Sequence, residues 1–254
     1  MGILKTAAGV MLVLVLHSGT VGALRTGGPM VVIPVAMHGP GAESTEWRTD
    51  LWISNWSSLP RSIDVTYYPE GGGAPMTFTV PMGTRETVEI IDVVQSRFGL
   101  DNSKGLLLLS TDEDSSFEAR ARIYNTGNPN GEFGQFVPGI AVIWLSHQAY
   151  LPGISGVDGN RTNAGIANPN DEDLDVQLRI ADSNGTDLVT RHTVTVPARS
   201  VVQINDIFAF MGAAPRGNAQ LEMNASSGLI YGYASVVRTG TGDAIFIFGT
   251  SPNS

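Results

Sequence analysis

The fold of this chain is decided by the stretch Trp47-Arg48-Thr49-Asp50-Leu51-Trp52-Ile53-Ser54-Asn55, because a second version of it occurs later as Asn160-Arg161-Thr162-Asn163-Ala164-Gly165-Ile166-Ala167-Asn168. Both stretches fit the pattern Arg-Thr-(Asp/Asn)-x-x-Ile-x-Asn. Their arginines lie 113 positions apart (161 − 48). A repeat at that distance predicts two copies of one domain in the chain.

Two further matches keep nearly the same offset. Thr79-Val80-Pro81 matches Thr195-Val196-Pro197, and Asp92 matches Asp206, each before an apolar run. The sequence therefore predicts that each copy has a strand beginning with Arg-Thr, a strand ending at Thr-Val-Pro, and one short helical turn headed by Asp. In the first copy we expect Asp92 to cap the turn and Gly99 to end it.

Short runs rich in Val, Ile and Thr, bounded by Gly, Pro and Asn, account for most of the remaining chain. About seven such runs per copy are typical of a β-sandwich. The fold class expected is therefore all-β, with two tandem antiparallel β-sandwich domains that arose by internal duplication. Pro34 interrupts the first run and predicts a sheet edge or a bulge there, because proline cannot donate to a ladder.

These runs divide the chain into a signal peptide at 1–23, a first sandwich at 24–130, a connector at 131–143 and a second sandwich at 144–254. At the level of fold, the pattern resembles tandem immunoglobulin-like or fibronectin-III-like domains of proteins exported by bacteria. The resemblance implies two tandem antiparallel β-sandwiches. The Cys…Trp…Cys framework of true immunoglobulin domains is not present, because the chain has no cysteine.

The first residues predict export. Lys5 gives a positive start, residues 7–16 form an apolar run, and Val21-Gly22-Ala23 fits a cleavage site. Ten apolar residues are too few to span a bilayer, which takes about 20. We therefore expect a secreted, extracellular or periplasmic protein with no membrane insertion after cleavage.

The charge of the mature chain limits its partners. Without residues 1–23 it has 14 Lys and Arg against 24 Asp and Glu, a formal net charge of −10. That charge argues against nucleic acid and against an anionic membrane surface, both of which require clustered cations. The lack of cysteine excludes disulfides and thiolate metal sites.

The repeated arginines are the first candidate site residues. We expect Arg48 to bind Asp92 and Arg161 to bind Asp206, each as a two-bond fork that ties the strand to the helical turn. The alternative is that an arginine binds a ligand. Duplicated structural pairs are the favoured interpretation, because catalytic residues in both halves of a sandwich protein would be unusual.

Trp52 and Trp56 are the residues that the repeat does not share, since their counterparts are Gly165 and Pro169. Three roles fit a tryptophan that the fold does not require: packing against another domain or subunit, stacking on a sugar, or simple partial exposure. If the protein has a binding surface that is not fold-determined, we expect it at Trp52 and Trp56.

Metal and catalytic patterns are weak. Asp171, Asp173 and Asp175 offer oxygen ligands to calcium without the EF-hand spacing, and a solvated loop is the favoured interpretation; Asp112-Glu113-Asp114 is a similar cluster. No nucleophile elbow or phosphate loop occurs. No cofactor and no catalytic residue is therefore expected.

The function expected from these patterns is that of a non-enzymatic structural, adhesive or surface-interaction protein. Its partner would be another protein, including a second copy, or a glycan. The apolar runs Met30–Ala36 and Ala244–Phe248 could support assembly by strand addition. The alternatives are a carbohydrate-binding module that uses Trp52 and Trp56, and a glycoside hydrolase with a carboxylate pair scattered along the sequence.

Overall fold

A computed structural model describes residues 27–41, 45–111 and 117–251. The predicted signal peptide and the cluster Asp112-Glu113-Asp114 lie outside these ranges. The described chain is predominantly β, in several antiparallel sheets, as the sequence predicts. Within these ranges no helix has the length and apolarity that a membrane crossing requires.

The first half of the chain has eight principal strands and one short helix. Their bounds are β1 (Met30–Pro40), β2 (Glu46–Asn55), β3 (Arg61–Pro69), β4 (Met76–Met82), β5 (Thr87–Ile90), α1 (Val93–Phe98), β6 (Ser103–Ser110), β7 (Phe117–Asn125) and β8 (Phe133–Pro138). Sheet I has the order β5-β2-β7-β8, and sheet II has the order β4-β3-β6-β1. The two-residue strand β9 (Ile140–Ala141) pairs with β1, and the end of β1 also pairs with β2.

The second half has the same number of principal strands. After a single 3-10 turn at Val142–Trp144, the bounds are β10 (Gln148–Ile154), β11 (Asn160–Asn168), β12 (Leu174–Ala181), β13 (His192–Val196), β14 (Ser200–Ile204), α2 (Ile207–Met211), β15 (Ala219–Ala225), β16 (Tyr231–Arg238) and β17 (Ala244–Phe248). Sheet III has the order β14-β11-β16-β17, and sheet IV has the order β13-β12-β15-β10. Strand for strand, sheet III repeats the order of sheet I and sheet IV repeats that of sheet II.

The strand order differs from that of immunoglobulin domains. In those domains the first two strands lie in the same sheet. Here β1 belongs to sheet II and most of β2 pairs within sheet I, and β10 and β11 are likewise in separate sheets. The expected immunoglobulin-like connectivity is therefore not the one observed, although each half is a pair of antiparallel sheets around a shared core.

Sheet III packs against the first half. Ala167, Val201, Tyr231 and Tyr233 belong to the hydrophobic cluster of the first half, and β11, β14, β16 and β17 contact β1, β3, β6 and β8. Sheet II is consequently covered on both faces, which explains why residues 106–109 are an uninterrupted run of buried leucines. Sheet III therefore packs against sheet II, and its strand β17 also contacts β8 of sheet I.

Two local features bear on the expectations for chain order. The register of β1 shifts between Ile33 and Ala36, so Pro34 lies in a bulge. Residues 131–143 were expected to form a connector, but β8 and β9 complete the sheets of the first half. Residues 133–138 of this segment form a strand that pairs with β7 along its whole length.

Candidate functional site

The threonine of the repeated motif joins two sheets in each half. Thr49 Oγ1 accepts a hydrogen bond from the Met37 backbone N at 2.8 Å and donates to the Met37 carbonyl at 2.9 Å. Thr162 Oγ1 does the same for Ser155, at 3.0 and 2.6 Å. Both threonines are fully buried. A hydroxyl is suited to this position because it can both donate and accept.

The third motif residue holds the helical turn. Asp50 Oδ1 accepts from the Asp92 backbone N at 2.9 Å, and Asn163 Oδ1 accepts from the Asp206 backbone N at 3.1 Å. Asp92 and Asp206 both adopt positive φ, at 46° and 53°, a conformation that Asp tolerates better than most residues. The polar contact fixes this turn in both halves, which accounts for Asp or Asn at the third position.

The last motif residue closes a loop. Asn55 Nδ2 donates to the carbonyls of Leu59 and Gly83, at 2.9 and 2.8 Å. Asn168 Nδ2 lies within hydrogen-bond distance of three carbonyls, those of Glu172, Val196 and Pro197. Both amides are buried, so they satisfy carbonyls that would otherwise lack partners.

The arginine pairs differ from the prediction. Arg48 Nη1 lies 3.6 Å from Asp92 Oδ2, which is an ion pair and not the expected two-bond fork. His38 Nδ1 takes the nearer position, 2.8 Å from the same oxygen. The side chain of Asp92 makes no capping hydrogen bond, in contrast to the expected cap.

The second pair does not form. In the part of the chain that the structure describes, Arg161 makes no salt bridge with Asp206, whose carboxylate instead accepts from the Ala209 backbone N at 3.2 Å. Arg161 Nε is buried and has no hydrogen-bond partner there. The physical reason is its face of the sheet: Arg161 lies on the side of sheet III that is turned toward the first half, where it lines a cavity.

Equivalent faces of sheets I and III have different environments. On sheet III, Gly165 lies beside Tyr233, and a Cβ at Gly165 would overlap the Tyr233 ring. On sheet I the same two positions hold Trp52 and Arg120, which are also cross-strand neighbours. Sheet III is covered by the first half, whereas the outer face of sheet I is not covered within the described chain. Trp52 is thus accommodated because its face is open.

We call the outer face of sheet I the open face and define it by Trp52, Glu89, Arg120, Arg122 and Phe136. Register places these side chains on one side: Glu89 and Arg120 flank Trp52 in one row, and Arg122 pairs with Phe136 in the next. Trp52 is half-buried, and Phe136 is 53% exposed. The face therefore combines two aromatic rings with charges of both signs.

Two neighbours define the edge of this face. The Arg122 guanidinium lies 4.3 Å from the centre of the Tyr124 ring, a cation–π contact. Burial, together with the nearby Asp50 carboxylate, raises the pKa of Tyr124 to about 12. Trp56 lies beyond the end of β2, is 52% exposed and packs against Gly27. Trp56 contacts the segment that leads into β1, so the two tryptophans have different surroundings.

The carboxylates of the acidic loop bond to neighbouring groups of the chain. Asp171 accepts from Arg199 Nε at 2.8 Å, Asp173 from the Ala198 backbone N at 2.8 Å, and Asp175 from Thr195 Oγ1 at 2.7 Å. The Arg199 hydrogen bond lowers the pKa of Asp171. Over residues 27–41, 45–111 and 117–251, no three His, Asp or Glu side chains form a group that could hold a metal ion.

A cavity of about 440 Å³ lies between the halves, and we call it the cleft. It is bounded by sheet III and by the ends of β1, β2 and β7, together with the loops around residues 127–129 and 239–242. Its lining includes three cations, Lys104, Arg161 and Arg238, and the ring of Trp47. The carboxylate pair of a glycoside hydrolase is not found among its described lining residues.

Sequence reasoning missed the cleft, because its walls come from segments more than 100 residues apart in the chain. The sequence contained little that could have indicated the cleft. Arg161 was singled out as a motif residue, but the pattern gave no reason to separate it from Arg48. Comparison of the chain with protein-family models and with curated protein sequences finds no match.

Proposed function

We propose that this chain is an exported, non-enzymatic surface-interaction protein, and that the open face is where it contacts its partner. The observation that carries the proposal is the contrast between Trp52 and Gly165. Equivalent positions hold a large aromatic ring on the open face and no side chain on the covered face, so Trp52 serves something other than the fold.

We further propose that the two halves are β-sandwiches descended from one duplicated domain. Support comes from the shared strand order of sheets I and III and of sheets II and IV. The motif residues Thr49 and Thr162 make matching pairs of backbone hydrogen bonds, which strengthens the case. The shared ancestry matters for function because it makes one half an internal reference for the other.

The partner that the geometry favours is a second copy of the chain. Glu89 and Arg120 lie on opposite sides of Trp52 in the same row of sheet I. A two-fold axis near Trp52 would place Glu89 of one copy against Arg120 of the other, twice. Such self-complementary interfaces are the commonest in homo-oligomers. Trp and Arg are also the residue types enriched at interface hot spots.

Face pairing is better supported than strand addition. The run Met30–Ala36 lies inside sheet II, where β1 pairs with β6 on one side and with β9 on the other. The backbone hydrogen-bonding groups of this run are therefore already paired within the chain. Ala244–Phe248 pairs with β16 and packs against β8, so it too belongs to the chain's own structure.

Sedimentation velocity of residues 24–254 tests the proposal. We expect a concentration-dependent dimer that Trp52→Ala abolishes and that Glu89→Arg or Arg120→Glu each abolishes alone. Mixing the two charge variants should restore a dimer, because each then supplies the sign that the other lacks. Ile245→Ala, which removes a 67% exposed side chain from β17 of sheet III, is the matched control. A wild-type chain that stays monomeric at about 100 µM refutes self-association through this face.

The second candidate is a carbohydrate-binding module. It is favoured by Trp52 and Phe136 on one flat face beside arginines that can bind hydroxyl groups. Affinity electrophoresis in xylan or soluble cellulose should then retard the wild type, and Trp52→Ala should remove the retardation while the melting temperature stays nearly unchanged. Retardation that depends on Trp56 and not on Trp52 would assign the glycan to a different surface.

A further inference from the structure

The cleft has an electrostatic character that contrasts with the rest of the chain. The protein carries a formal net charge of −9, yet the described residues that line the cleft include Lys104, Arg161 and Arg238 and neither Asp nor Glu. The carboxylate of Glu70 contacts two lining residues: its Oε2 lies 3.0 Å from Lys104 Nζ, and its Oε1 lies 3.4 Å from the Gln203 backbone N. Lys104 is thus paired, whereas Arg161 forms no salt bridge with any described residue.

Arg161 is the feature that the fold does not explain. Its Nε is buried without a hydrogen-bond partner, a costly arrangement for a guanidinium N–H. The equivalent Arg48 shows that the fold can place this side chain beside a carboxylate, since Arg48 lies 3.6 Å from Asp92. An arginine that is left unpaired in a cavity is suited to a ligand that brings its own negative charge.

The other lining groups indicate the size and the nature of that ligand. A volume of about 440 Å³ exceeds what an inorganic anion needs and lies in the usual range for small-molecule sites. Asn163, Gln203 and Asn205 also line the cleft. The Oδ1 atoms of Asn163 and Asn205 each accept a hydrogen bond within the chain at 3.1 Å, and their Nδ2 groups can donate to hydroxyl groups. Trp47 adds an apolar wall of the kind on which a sugar ring stacks.

We propose that the cleft binds an acidic sugar of one or two rings, with its carboxylate at Arg161. The planar guanidinium presents donors that match the geometry of a carboxylate. Arg238 at the mouth adds a second, exposed cation. The site needs only one copy of the chain and no residue of the open face. Its test is therefore independent of the proposed self-association.

Isothermal titration calorimetry of residues 24–254 with D-glucuronate and digalacturonate tests the proposal, with D-glucose as the neutral match and inorganic phosphate as the anion alone. We expect the two acidic sugars to bind, and Arg161→Gln to weaken them about tenfold to a hundredfold, as for loss of a charge-assisted hydrogen bond. Arg48→Gln changes the equivalent residue of the first half and should leave binding within about twofold. Arg161→Lys keeps the charge and loses the planar fork, so its affinity should fall between those of the wild type and Arg161→Gln.

Four results would overturn the proposal. Glucose that binds as well as glucuronate shows that the cations do not recognise the ligand, and phosphate that binds as well shows an anion site without sugar recognition. If Arg48→Gln and Arg161→Gln lower the affinity for the acidic sugars equally, the effect does not come from the cleft. If neither acidic sugar gives a heat of binding at about 20 mM, the cleft does not bind this class of ligand. Thermal unfolding of the Arg161→Gln chain confirms that it is folded in each case.

Discussion

Replacing Thr162 with Val tests whether the motif threonine joins the two sheets of the second half. Valine has nearly the same shape, so the substitution removes the hydroxyl and little else. Two hydrogen bonds to Ser155 are lost, at 3.0 and 2.6 Å, in a fully buried side chain. At about 1–2 kcal/mol for each part-buried backbone group left without its partner, the free energy of unfolding should fall by about 2–4 kcal/mol.

Urea denaturation followed by circular dichroism measures this loss, with the slope of the transition checked for two-state behaviour. The matched control is Thr66→Val, because Thr66 makes its hydroxyl contact with Thr77, at 2.9 Å, in an exposed hydrogen bond between β3 and β4. There the loss should stay below about 0.5 kcal/mol. A loss below about 1 kcal/mol for Thr162→Val, or an equal loss for Thr66→Val, would refute the structural role assigned to the motif threonine.

Three further predictions concern the two motif arginines, Gly165 and Tyr67. Arg161→Met should leave the free energy of unfolding unchanged or raise it by about 1 kcal/mol, because an unsatisfied N–H is removed, whereas Arg48→Met should lower it by up to about 1 kcal/mol; urea titrations decide between them. Gly165→Ala should destabilise by more than about 2 kcal/mol, because the added Cβ meets the ring of Tyr233, and differential scanning calorimetry should show the loss. Burial raises the pKa of Tyr67 to about 12 from an ordinary value of 10.0, so the stability that its neutral form contributes is complete below pH 10 and is lost as the pH rises toward 12. Ultraviolet titration with Tyr67→Phe as the reference measures that ionisation, and a Tyr67 ionisation near pH 10 in the folded chain would contradict it.

Much of the fold was readable because hydrophobic periodicity and turn residues act locally. The all-β class, the helical turns after Asp92 and Asp206, and the bulge at Pro34 follow from residue types at fixed spacings. At 131–143, where a connector was expected, β8 pairs with β7, and such a pairing depends on a partner strand that local composition does not identify. The order of the strands in each sheet could not be predicted from the sequence either, because hydrophobic periodicity identifies a strand but not the strands beside it.

The candidate site was less predictable. The sequence identifies Trp52 as a residue that the repeat does not share, but its place beside Glu89, Arg120 and Phe136 depends on the register of four strands. The fork between Arg48 and Asp92 was wrong in its geometry because His38, which is 54 residues from Asp92, takes the nearer position on the carboxylate. Sequence spacing carries no information about such a competitor.

The sequence by itself determined the motif contacts that the two halves share. Thr49 and Thr162, and Asn55 and Asn168, make corresponding bonds because identical polar groups at identical spacings meet the same backbone geometry. Only the tertiary structure decided how the halves differ. Packing of sheet III against the first half covered one of two equivalent faces, which left Trp52 on an open surface and placed Arg161 in a cavity without a partner. The local hydrogen bonds are the same wherever the sequence motif is the same, whereas the burial of a sheet face depends on which surfaces pack against it.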